Sequence, residues 1–293
     1  MLGQRTACFV HLGKFGDLII MLPGFRQVAL ELGHPVICVV SREYASLFDG
    51  VSYVLPWVVD LHWWRGVREA GIMAEQAGFH PIIVKWWDAP NAKPPMVLDN
   101  GQRLTLRIHG RIRVVPAAEW DSYQGSQWRY AGFPTEAMFQ WPLYFDLRDR
   151  QREAALCATW LRPGRRHLLV NMPGLGTSPF RFAGEVLAFC YGRGMDVINL
   201  GQVKAARIYD LLGLYDHSDL LVTSDTATLH LAAASNIPYI AFLNNGGAGS
   251  IPRGNCILAI RYGEFAQRRG QFQEALRVVS RYHETSVLDA APA

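Results

Sequence analysis

ACFVHLGKFGDLIIMLPGFRQVALELGHPVICVV, residues 7–40, is the stretch whose reading decides the fold. Ala7 to Leu12 is a short apolar run of strand length, and Gly13-Lys14-Phe15-Gly16 reads as a turn. From Asp17 to Leu32 the apolar residues recur at helical spacing, until Gly33 ends the pattern. Pro35 to Val40 is a second apolar run. Strand, helix and strand in this order make a β-α-β unit, whose helix returns the chain to the edge it left, so the two strands run parallel.

The same rhythm recurs along the chain. Ile82 to Lys85 is a further strand, and the proline-rich stretch from Trp86 to Pro95 is loop. Between Gln102 and Val115 two sets of residues alternate: Leu104, Leu106, Ile108, Ile112 and Val114, against Arg103, Thr105, Arg107, His109, Arg111 and Arg113. This pattern predicts strands with one buried face and one arginine-rich face, with a hairpin turn at His109-Gly110. A charged helix from Arg148 to Leu161 and the breaker Arg162-Pro163-Gly164 precede the strand His167 to Asn171. A helix at Ala183 to Tyr191 follows, with strands at Asp196–Leu200, Leu220–Thr223 and Tyr239–Leu243 and a closing amphipathic helix from Glu264 to Tyr282. The chain thus reads as α/β in two Rossmann-like lobes, residues 1–147 and 148–293.

At 293 residues, half of them hydrophobic, both lobes have enough apolar side chains for a core of their own. A net charge of +4 favours anionic partners, namely nucleotide phosphates, acidic glycolipids or nucleic acid, without choosing among them. The five cysteines are odd in number and include no CxxC pair, which argues against a disulfide scaffold and for a reducing cytoplasm. The start MLGQRTACFVHLG lacks the pattern of a signal peptide, and no apolar run is long enough to span a bilayer. Work on a lipid-borne acceptor is therefore expected at the inner face of the membrane, from its surface. HExxH, paired-cysteine spacing, Walker A and GxSxG motifs are all missing, so neither a metal ion nor another cofactor is expected.

Two constellations carry chemistry. The Gly13 to Asp17 turn leads from a strand into a helix, so free backbone N–H groups and the positive end of the helix dipole face the space above the sheet. Asp17 there is either a helix cap or a reacting carboxylate. The second constellation is YDHSDLLVTSDTATLHLAAASNIPYIAFL, residues 215–243, with Ser224-Asp225-Thr226 at a strand-to-helix junction of the kind that binds phosphates. Asp225, which would repel a diphosphate, is assigned to capping and to sugar hydroxyls, and Thr226, Thr228 and the helix amides are assigned to the phosphates. His230 lies one turn further in.

HLGKFGDLIIMLPGFRQVALELG, residues 11–33, resembles the opening of the ADP-heptose:lipopolysaccharide heptosyltransferases, the family 9 glycosyltransferases. Gly16, Asp17 and Pro23 match that family's motif, and the resemblance makes Asp17 the catalytic base, with Gly13, Lys14 and Gly16 beside the acceptor. Asp225, Thr226, His230, Ala232, Ala233 and Pro238 match the family's donor-binding signature, with Ala227 in place of its glycine. LLVNMPGLGTSPFRFAGEVL, residues 168–187, is similar to its proline-glycine loop, with Arg181 where a lysine is frequent. The span Gly201 to Asp225 is shorter than in family members.

The resemblance implies the GT-B fold: two Rossmann-like lobes with parallel sheets facing a central cleft, acceptor and base on the first, nucleotide-sugar donor on the second. It implies metal-independent, inverting transfer of a sugar, with heptose foremost, to a hydroxyl of a lipopolysaccharide core or another anionic glycolipid or glycan. An aspartate at a helix N-terminus is a weak base, so its proton arrives late, after bond formation has acidified the hydroxyl. Gly246 and Gly247 lie in a loop that either closes over the donor, with Arg253 nearby, or is plain surface. Trp63, Trp64, Trp86 and Trp87, flanked by basic residues, are acceptor-stacking candidates or core residues, and Arg107 and Arg111 are acceptor contacts or a solvated face. These tryptophans and arginines also motivate an alternative acceptor, a modified base in DNA or another nucleic acid. Ala227 and the shortened span motivate a second alternative, a binding protein that has lost catalysis.

Overall fold

The structure is a computed structural model that describes residues 6–62, 66–84, 107–108, 111–112, 123–172, 180–191, 193–244 and 252–281. The chain divides into two compact units, Met1–Arg148 and Asp149–Ala293.

The first unit is built on a parallel sheet of β1 (Cys8–Val10), β2 (Val36–Ser41), β3 (Val54–Val59) and β4 (Pro81–Ile83), in the order β3-β2-β1-β4. Helix α1 (Phe15–Leu32) follows β1, and α2 (Val67–Gln76) leads into β4. α1 begins at Phe15, two residues ahead of the expected start, because Lys14 is already extended (φ −76°, ψ 174°) and serves as its cap position. Its end is as read: Gly33 takes φ 74°, the left-handed backbone that terminates helices most cheaply at glycine. β3 escapes the sequence reading because Pro56 interrupts it. As the edge strand of this sheet, it has an unpaired side on which a missing N–H costs nothing.

β1 presents Cys8 and Val10 to a cluster with Val39, Val59 and the α2 residues Val67, Ala70 and Ala74. Phe9 points the other way, 4.7 Å between ring centroids from Phe25 of α1 and 5.8 Å from Phe133. Gly24 is what admits Phe133. A Cβ at position 24 would stand 2.1 Å from the Phe133 ring. Helix α3 (Tyr123–Tyr130) ties to the same helix through the Trp128 indole, which donates to the Ile20 carbonyl at 3.1 Å, close to Pro23.

Between these elements lie β5 (Arg107–Ile108) and β6 (Arg111–Ile112), an antiparallel pair in which Arg107 is opposite Ile112 and Ile108 opposite Arg111. The pair is antiparallel, as the expected hairpin requires.

In the second unit α4 (Arg150–Trp160) precedes β7 (His167–Asn171), and α5 (Ala183–Tyr191) precedes β8 (Asp196–Asn199). A short helix α6 (Leu212–Asp216) leads to β9 (Leu220–Ser224), and α7 (Ala227–Leu231) to β10 (Tyr239–Leu243). β11 (Cys256–Arg261) and α8 (Phe265–Arg281) close the unit. All five strands are parallel, in the order β11-β10-β9-β7-β8. Asp149 caps α4 by accepting the N–H groups of Gln151 and Arg152, both at 3.0 Å. The core is aromatic: Phe180 stacks on Phe242 and Tyr262, and Phe265 and Phe272 of α8 pack edge-on against Phe242.

In each sheet the chain moves first to one side of its opening strand and then to the other. β2 and β3 lie on one flank of β1 and β4 on the other; β8 flanks β7 on one side, with β9 to β11 on the other. Where strand order reverses in this way, the connections leave in opposite directions and open a crevice at the carboxyl ends of the strands. Both sequence constellations follow strands at such a reversal.

Replacing Gly24 with alanine is expected to destabilise the first unit by about 1–3 kcal/mol, the usual cost of overpacking, read as a lower urea midpoint with unchanged m-value; an unaltered midpoint would show that Phe133 does not need this space.

Candidate functional site

Site residues in the first unit are set by the turn after β1. His11 is fully buried, and its N–H continues the sheet by donating to the Val39 carbonyl at 3.0 Å. Its Nδ1 accepts the Gly13 N–H at 3.1 Å, and its Nε2 meets Gln127 Oε1 of α3 at 3.1 Å. Gly13 is squeezed between neighbours, since a Cβ there would lie 2.5 Å from the His11 ring and 2.7 Å from the Asp17 Cβ. One residue on, the Lys14 N–H donates to Asp17 Oδ2 at 2.9 Å. The Asp17 carboxylate is half-buried, and this bond is the helix-capping one of the two roles open to it, made back to the cap position of α1. Tyr44, from the 3₁₀ turn Arg42–Gly50, packs its ring edge-on against Phe15 at 5.1 Å. Burial first, then Glu43 and Asp17, push the Tyr44 phenol above its ordinary value and keep it protonated.

The second unit places a polar network at the β7/β9 reversal. The Asn171 amide, at the end of β7, donates to Thr228 Oγ1 at 2.6 Å and to Thr226 Oγ1 at 3.1 Å. Thr228 Oγ1 also lies 2.8 Å from both Thr223 Oγ1 and Thr226 Oγ1. Tyr215 reaches in from α6 and donates to the Thr228 carbonyl at 3.1 Å. Its phenol is pushed well up by burial. Buried polar groups tolerate such a place only when satisfied, so this network fixes the β7, β9 and α7 ends relative to one another.

One sequence assignment changes. Asp225 does not occupy the cap position of α7, which falls to Thr226, whose side chain makes no capping bond. The Asp225 carboxylate, 6% exposed, instead accepts the Asn244 N–H at 3.3 Å, joining the ends of β9 and β10. Thr228, 8% exposed, turns its hydroxyl inward to Asn171 and Thr223. Thr226 is half-buried at the start of α7. Ala227 is the first residue of α7, where a helical backbone suits alanine at least as well as glycine, so the departure from the signature costs no conformation here. His230 is half-buried in the same helix, and Arg181 is exposed, its guanidinium 4.6 Å from the Phe182 ring centroid.

Arg253 precedes β11, and its carbonyl accepts the Tyr239 hydroxyl at the start of β10. Burial depresses its guanidinium to about 10. Trp63, Trp64, Trp86, Trp87, Gly246 and Gly247 lie outside the described residues, as do the side chains of Arg107 and Arg111. His11, Gln127, Asn171 and Tyr215 are polar participants that the sequence reading passed over. Their only signal is position, since His11 and Asn171 are polar residues at the carboxyl ends of apolar strands. Among the described residues no group of three or more His, Cys, Asp or Glu side chains is placed to hold a metal ion, and no helix is long and apolar enough to cross a membrane.

Two parallel α/β units with reversals of this kind belong to the GT-B class of fold. The solved structures that the chain resembles are of that class. Glycosyltransferase family 9 protein from Veillonella parvula superposes with a TM-score of 0.58 at 12% identity, over 91% of this chain and 89% of that one. ADP-heptose lipopolysaccharide heptosyltransferase II from E. coli gives 0.58 at 13% identity, over 94% and 99%. The E. coli heptosyltransferase WaaC with ADP gives 0.50 at 15%, over 93% and 100%. No protein-family model and no curated protein sequence matches the chain. At these identities the likeness is one of fold.

Thr228→Val removes the hydroxyl at the centre of the network while keeping its volume, and leaves the buried Asn171 amide short of an acceptor. A loss of about 1–3 kcal/mol is expected, read in chemical denaturation; wild-type stability would mean that the network contributes nothing.

Proposed function

We propose that the chain is a glycosyltransferase that moves a sugar, with heptose foremost, from a nucleotide-sugar donor to an acceptor hydroxyl of a lipopolysaccharide core or other glycan. The observation that carries the reading is the Asp17 carboxylate, held by the Lys14 N–H at the strand-order reversal of the first unit, in a chain with the fold of heptosyltransferases. The neighbour solved with ADP supports an adenine nucleotide as part of the donor.

In this mechanism the acceptor oxygen attacks the anomeric carbon from the face opposite the diphosphate. The new C–O bond forms as the bond to the phosphate oxygen breaks, the leaving nucleoside diphosphate keeps the electron pair, and the configuration inverts. Asp17 takes the acceptor proton. Since one of its oxygens already accepts a backbone N–H, transfer comes late, once the attacking oxygen has become acidic. Thr226, the α7 amides and the exposed Arg181 are assigned to the departing diphosphate, with His230 and the segment holding Gly246 and Gly247 on the donor side. Arginine is suited to this role because its planar fork matches phosphate oxygens. No metal ion takes part in the proposal, and the acceptor is reached from the cytoplasmic side of the membrane.

A thermal-shift screen of nucleotide sugars tests the donor: a true donor at about a hundredfold its Kd stabilises by about 2.7 kcal/mol through binding linkage. In Asp17→Asn this shift should persist while transfer falls by about 10²- to 10⁴-fold, the usual worth of a general base. Near-normal turnover in that variant refutes the assignment of Asp17, and a screen in which no nucleotide sugar stabilises the protein refutes the reaction class.

A further inference from the structure

His11 and Gln127 have no part in the mechanism above, yet they occupy the floor of its central turn. Both are buried, His11 at 0% and Gln127 at 2% exposure. The Gly13 backbone nitrogen can only donate, so the His11 Nδ1 that it meets must be the unprotonated nitrogen. A neutral imidazole then carries its proton on Nε2, and Nε2 needs an acceptor. That requirement orients the Gln127 amide with its oxygen toward the ring, as the structure has it. The remaining Gln127 nitrogen is buried without a hydrogen-bond partner among the described residues. An orphaned buried donor is costly, so the amide is oriented for the histidine at the expense of its own nitrogen.

The bond from Gly13 to His11 spans two residues, the arrangement that asparagine or aspartate makes in an Asx turn. It fixes the Gly13 peptide, whose Cα packs directly between the His11 ring and the Asp17 Cβ. The next peptide supplies the Lys14 N–H to Asp17 Oδ2. A rotation of the imidazole or a change of tautomer removes the Gly13 acceptor and shifts the wall on which the Asp17 side chain rests. We propose that His11, locked in one tautomer by Gln127, is a positioning residue that holds the 13–14 backbone and through it the Asp17 carboxylate in reacting geometry. The proposal deepens the reading of Asp17 as the base and rests on it.

The test uses the full chain and two readouts. In steady-state transfer from ADP-heptose, His11→Phe should lower kcat by about 10- to 100-fold, since misplacing a reacting group by about 1 Å costs up to that much. The KM for ADP-heptose should stay within about twofold, because donor contacts are untouched. His11→Asn, which keeps an acceptor for the Gly13 N–H, should recover most of the lost kcat. A purely structural role would impair both variants in proportion to their loss of stability. Nitrogen NMR of the His11 imidazole in the ligand-free wild type should show Nδ1 unprotonated and Nε2 protonated, and Gln127→Leu should lose that single state. A folded His11→Phe with wild-type kcat, an Asn variant no better than the Phe variant, or a protonated Nδ1 would overturn the proposal. If the wild type does not turn over ADP-heptose, the assigned donor is what fails, and the NMR readout still decides whether the turn is held in this way. If His11→Phe does not fold, the Asn and Gln127→Leu variants carry the comparison.

Discussion

A parallel sheet whose chain grows to both sides of its opening strand cannot cover the carboxyl ends of its strands at the point of reversal. The polar groups gathered in each unit follow from that constraint. In the first unit the reversal lies beside β1, and in the second between β7 and β9. The backbone leaving these strands has to satisfy its hydrogen-bonding groups without a neighbouring strand, and nearby side chains do it. His11 accepts the Gly13 N–H, Asp17 accepts the Lys14 N–H, and Asp225 accepts the Asn244 N–H. The same groups thus complete the fold at the carboxyl ends of these strands.

The two crevices solve the problem differently. The first relies on close approach: Gly13 has no side chain because the His11 ring and the Asp17 Cβ stand where one would be. Its residues lie within a few positions of one another, apart from Gln127, brought in by α3. The second relies on a side-chain network from three elements, with Thr228 Oγ1 at its centre and Asn171 as the link from β7. The first holds one carboxylate in a short turn, whereas in the second unit Thr226 is half-buried and Arg181 exposed.

Elements with unmixed signals were legible in the sequence. β7, α5 and β10 occupy the residues that periodicity and flanking breakers assign to them. β3 was not, because Pro56 contradicts a strand unless the strand is known to be at an edge, and edge position is a property of the sheet. At the site, Asp17 and Thr226 stand out by motif and spacing. The inward turn of the Thr228 hydroxyl, the capture of Asp225 by Asn244 and the bond from His11 to Gln127, across 116 positions, arise from tertiary contact and leave no local trace.

The account is tested most directly by a crystal structure of the protein with a non-transferable ADP-heptose analogue. It predicts the diphosphate beside Thr226 and the α7 amides, with the anomeric carbon turned toward the Asp17 carboxylate. A ligand seated at the opposite edge of the second sheet, near Tyr239 and Arg253, or bound with its sugar remote from Asp17, would contradict it.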